Sequence, residues 1–69
     1  MELMINGEVQ RFDSENPQTV AELMVFLEIT EKRGVAVAVN DEVVPRRKWG
    51  ESPVNDGDRV EIIRATQGG

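Results

Sequence analysis

The 69-residue chain leaves room for one domain, and a protein this short buries only about 60% of the surface that its unfolded chain exposes. It has neither cysteine nor histidine, which excludes a disulfide and the thiolate or imidazole ligands of a structural zinc, so the apolar core must hold the fold alone. Thirteen acidic residues against eight basic ones give a net charge of −5, which opposes non-specific binding to nucleic acid or anionic lipid and suits a basic protein surface.

The first residues, Met1 to Gly7, lack the basic start and apolar run of a secretory signal. No segment is long and apolar enough to cross a membrane, and the expected location is the cytoplasm. Leu3, Met4 and Ile5 form a first predicted strand that ends in Asn6-Gly7, a dipeptide suited to a two-residue hairpin because both positions tolerate positive φ. A second strand runs from Glu8 to Phe12. There Val9 and Arg11 share one side while Glu8, Gln10 and Phe12 share the other, so its burial signal is weak.

Asp13 to Gln18, with Pro17, reads as a loop. Thr19-Val20-Ala21-Glu22 then has capping-box spacing and predicts a helix start. Val20, Leu23, Met24 and Leu27 make one apolar stripe, widened by Phe26, to lie across the sheet. Ile29-Thr30, the charged Glu31-Lys32-Arg33 and Gly34 mark the predicted exit.

Val35 to Val39 alternates valine with alanine, giving one bulky and one small face, neither polar, as an interior strand requires. Asn40-Asp41 turns the chain into the short strand Glu42-Val43-Val44, which Pro45 stops by removing a ladder donor. Asn55-Asp56-Gly57-Asp58 is another turn. Arg59 to Arg64 is the closing strand, with Val60 and Ile62 inward and Glu61 and Ile63 outward. The order predicts an α+β domain, one helix on one face of a small mixed sheet, over residues 1–65, followed by a tail at 66–69.

Side-chain chemistry is sparse. Without histidine, cysteine or tyrosine there is no imidazole base, thiol nucleophile or phenolic acid, and the expectation is a protein that is not an enzyme. The acid pairs Asp13/Glu15, Asp41/Glu42 and Asp56/Asp58 fall in predicted turns, where they form turns and aid solubility. Arg46-Arg47-Lys48 beside Trp49 has the residue types of a nucleic-acid site. In an acidic chain the plainer reading is a solvated loop with Trp49 plugging one end of the core. No bound metal or cofactor is expected.

The specific feature is Gly68-Gly69. At average glycine usage this pair ends a chain about 0.5% of the time by chance. Two glycines put no side chain in a partner's way, and a tail from Ala65 extends up to roughly 17 Å, enough for the Gly69 carboxylate to enter a narrow site while the body stays outside. The bland alternative is a frayed or vector-derived tail.

The ordered set of Arg33 to Asn40 (RGVAVAVN), Glu42 to Arg46 (EVVPR), Trp49, Asp56 to Ile63 (DGDRVEII) and Gly68-Gly69 resembles the ThiS family of thiamin-biosynthesis sulfur carriers over nearly the whole length. That resemblance implies a ubiquitin-like β-grasp fold, with the first and last strands parallel neighbours. It also implies that the Gly69 carboxylate is adenylated by a ThiF-like adenylyltransferase using ATP and magnesium. Sulfide or a partner's persulfide then replaces AMP, and a ThiG-like thiazole synthase takes the sulfur from the thiocarboxylate.

Gln67 stands where the family often has a small residue or glycine. It and Gly68 are the expected threading segment, with Ile63 and Arg64 as docking contacts and a monomer as the expected state of the free chain. Three rivals share the plan: a small subunit of molybdopterin synthase, a ubiquitin-like modifier ending in isopeptide bonds, and a binding domain whose tail does nothing.

Overall fold

The computed structural model describes residues 1–13, 15–30 and 33–64. Its elements are β1 (Glu2–Ile5), β2 (Glu8–Arg11), α1 (Val20–Phe26), β3 (Val35–Val39), β4 (Glu42–Val44), a 3-10 helix (Arg46–Glu51) and β5 (Arg59–Arg64). The five strands form one sheet in the order β2-β1-β5-β3-β4. β1 and β5 are parallel, with Met4 opposite Arg59 and Ile5 opposite Val60, while the β1–β2, β3–β4 and β3–β5 pairs are antiparallel. The expected β-grasp arrangement is therefore present, and β5 is its central strand.

Local chemistry explains the turns. Asn6 and Gly7 have φ of 52° and 84°, and Asn40 and Asp41 have 50° and 72°; two consecutive positive φ values match the right-handed twist of the flanking strands. The turn before β5 is docked on β1, since Asp56 accepts the Glu2 N–H at 2.6 Å and Gly57 donates to the Glu2 carbonyl at 2.7 Å.

The helix starts where its cap predicts. Thr19 Oγ1 accepts the Glu22 N–H at 3.2 Å, and the Glu22 carboxylate accepts the Gln18 N–H at 2.7 Å, one residue earlier than in a standard capping box. The helix ends sooner than the sequence suggests. It stops at Phe26, because Glu28 takes φ 60° while Ile29 donates to the Met24 carbonyl at 2.9 Å and Glu28 to that of Val25 at 3.0 Å. This is a Schellman cap without glycine.

Leu3, Ile5, Val37, Val60 and Ile62 from the sheet meet Val20, Leu23 and Met24 from the helix, and Trp49 and Val54 complete the core. Phe26 does not widen the stripe as expected. It is 49% exposed and packs edge-on against Phe12, with ring centroids 5.7 Å apart. A third departure is at Arg46-Arg47-Lys48, which the sequence places in a loop and the structure in the 3-10 helix. β2 is an edge strand whose residues are all exposed, so neither of its alternating faces is buried.

Candidate functional site

The end of β5 is where the expected site residues begin. β5 is held by β1 on one side and by β3 on the other, with Val35 opposite Arg64, Ala36 opposite Ile63 and Ala38 opposite Glu61. Alternation sends the two expected docking residues to opposite faces. Ile63 lies on the face away from the helix and is 64% exposed. Arg64 lines a shallow groove on the helix side, together with Ile5, Asn6, Leu27, Ile29 and Ile62. A partner that touches both must grip the strand end from two sides. Gln67, Gly68 and Gly69, and the expected domain boundary at residue 65, lie outside the described residues.

The small face of β3 shapes the surface around Ile63. Ala36 and Ala38 stand beside Ile63 and Glu61, and Val43 of β4 pairs with Ala38 on its far side. Val43 is 73% exposed. Alanines between two exposed aliphatic side chains leave an open, shallow apolar strip next to the end of β5. Ile63, Ala36, Ala38 and Val43 offer apolar contact and no acid–base or nucleophilic group of their own, and Glu61 borders them beside Ala38.

The other sequence candidates resolve into structural roles. Asp58 accepts the Asn55 N–H at 2.8 Å and the Asn40 amide at 3.0 Å. Asp41 pairs with Arg59 at 3.1 Å on the surface. Trp49 is buried and its indole N–H donates to the Val44 carbonyl at 3.0 Å, so its ring faces the core and is not available to stack on a base. Among the described residues no cluster of acids could hold a metal ion, and no helix is long and apolar enough to cross a membrane.

Two features escape a reading of the sequence. Asn6 and Asn40, taken as turn formers, also bond to β5 through their side chains. A groove between α1 and the 3-10 helix, lined by Met24, Ile29, Arg46 and Trp49 among others, follows from the early helix end, which no glycine announces.

Comparison with known proteins agrees with this geometry. The model of the ThiS family matches residues 3–69, running from β1 through the terminal glycine pair. The chain belongs to the ThiS family. Sulfur carrier protein ThiS of Escherichia coli (strain K12) is 38% identical to this family member over 52 residues, 75% of the chain and 77% of that protein. ThiS of Thermus thermophilus is 34% identical over 65 residues, covering 94% and 95%. A thiazole synthase of Paramagnetospirillum magneticum is 41% identical over all 69 residues, which span only 20% of that larger protein. The crystal structure of the thiamine biosynthesis protein ThiS from Geobacter metallireducens superposes with a TM-score of 0.86 at 33% identity, each chain covered completely.

Proposed function

We propose that this chain is the sulfur carrier of thiazole formation in thiamin biosynthesis, with the Gly69 carboxylate as the group that carries the sulfur. The observation that carries the reading is the family match, which extends through Gly68-Gly69, on a fold whose central strand ends at Arg64. A carboxylate is inert toward sulfur nucleophiles until it is activated. Attack of a Gly69 oxygen on the α-phosphate of ATP expels pyrophosphate and leaves an acyl adenylate. Hydrosulfide then displaces AMP to give the thiocarboxylate; when a partner's persulfide is the nucleophile instead, the S–S bond that remains is cleaved by a thiol.

All of this catalysis resides in partners: a ThiF-like adenylyltransferase using ATP and magnesium, a sulfur donor enzyme, and a ThiG-like thiazole synthase. The carrier is their co-substrate and not itself an enzyme, and it binds no cofactor. The thiazole synthase partner is supported by a protein of that name which contains a segment 41% identical to the whole of this chain. Ile63, with the strip formed by Ala36, Ala38 and Val43, is the docking face, Arg64 grips from the opposite side, and Gln67 and Gly68 thread ahead of Gly69. The body covers residues 1–65 and the tail 66–69. The carrier works as a monomer in the cytoplasm.

Intact-mass measurement after incubation with the adenylyltransferase, ATP, magnesium and sulfide tests this reading. One oxygen should be exchanged for sulfur, located at Gly69 by fragmentation. Unchanged mass under conditions that convert Escherichia coli ThiS would remove the carrier assignment, and adducts on protein lysines would favour the modifier instead.

A further inference from the structure

On its β1 side the end of β5 is held by a side chain. β1 stops at Ile5 because Asn6 and Gly7, with φ of 52° and 84°, turn the chain back into β2. The Asn6 backbone N–H still reaches the Val60 carbonyl at 2.9 Å. The next rung of a parallel ladder would need strand backbone that has already turned away. The Asn6 carboxamide supplies that rung: Oδ1 accepts the Ile62 N–H at 2.8 Å, and Nδ2 donates to the Ile62 carbonyl at 3.2 Å. Both backbone groups of a buried residue, two positions before the end of β5, are thus satisfied by one side chain.

Asparagine suits this position for two combined reasons. It tolerates the left-handed backbone of the turn, and its short amide presents a donor and an acceptor side by side. Aspartate keeps the turn and the acceptor but not the donor; glycine keeps only the turn. Without the amide, β5 beyond Val60 is held by β3 alone and can swing about that one seam.

We infer that Asn6 is a positioning residue that fixes the direction of the end of β5, Ile62 to Arg64, and so sets how readily Gly69 enters an activating enzyme; this rests on the carrier reading above. A strand end that points correctly only part of the time weakens apparent binding in proportion to the competent fraction and leaves the chemical step alone.

The test uses the full chain as wild type, Asn6→Gly and Asn6→Asp, a ThiF-like adenylyltransferase, ATP and magnesium, with pyrophosphate release followed against carrier concentration. Asn6→Gly is expected to raise KM about tenfold with kcat within about twofold, and Asn6→Asp to fall between it and wild type. Hydrogen exchange, read in the same proteins without enzyme, should accelerate at the Ile62 amide while the Leu23 and Val37 amides keep their protection. Unchanged KM despite faster exchange at Ile62 overturns the positioning role. So does exchange that accelerates equally at Leu23, which would make Asn6 merely structural. If wild type releases no pyrophosphate, the carrier reading itself has failed and the inference falls with it.

Discussion

Glu28 sits at the residue after the helix C-cap, where a side chain works against its own backbone. Its φ of 60° brings Cβ toward the following carbonyl, a strain of about 1 kcal/mol for an L-residue, which glycine escapes. Glycine also has more freedom to lose on folding, so the net gain from Glu28→Gly is about 0.5 kcal/mol. A higher urea midpoint with an unchanged slope is the expected result, and a lower midpoint would mean that the side chain gives more than the strain removes. Ile63 presents the opposite case, a side chain that adds little to folding. Being largely exposed, Ile63→Asp should shift stability by no more than about 0.5 kcal/mol. If the strip beside it is the docking face, calorimetric titration with the adenylyltransferase should show affinity falling by about tenfold or more. Equal affinity would place docking elsewhere.

At the scale of elements, what was legible followed from chemistry that is local in the chain. The Asn-Gly hairpin, the Thr19 cap, the Val/Ala alternation of β3 and the stop at Pro45 each depend on neighbours within a few residues, and each stands as read. The helix end was not legible, because a glycine-free Schellman cap leaves no composition signal. The second role of Asn6 and Asn40 was hidden for a different reason. Each bonds to a strand about 19 to 56 residues away, a relation that exists only after β5 is inserted between β1 and β3. Of the candidate site, the sequence located Ile63 on the outer face but not the separation of Arg64 onto the helix side as part of a groove. The 3-10 helix gives an element-scale prediction. Trp49 ties that helix to β4 through its indole N–H, so Trp49→Phe retains most of the packing but leaves the Val44 carbonyl without this partner. Urea unfolding should show a loss of about 1–2 kcal/mol; a loss below the error of the measurement would show that water replaces the bond without cost.

Over the whole molecule, on the carrier reading, folding and function divide at the end of β5. The buried core of the described residues runs from Leu3 to Ile62, whereas the proposed chemistry needs only the last residue. Deleting Gly69, or adding one residue after it, should therefore leave the unfolding free energy measured in urea within about 0.5 kcal/mol of wild type. The same changes should abolish thiocarboxylate formation, because the reacting carboxyl would stop one residue short of the adenylate or extend one beyond it, and misplacement by one residue is about 3.3–3.6 Å, far more than a positioned nucleophile tolerates. Two measurements on one protein then separate the readings: retained stability with lost sulfur transfer identifies the last residue as the working group, and retained sulfur transfer in the truncated protein assigns the chemistry to some other group of the chain.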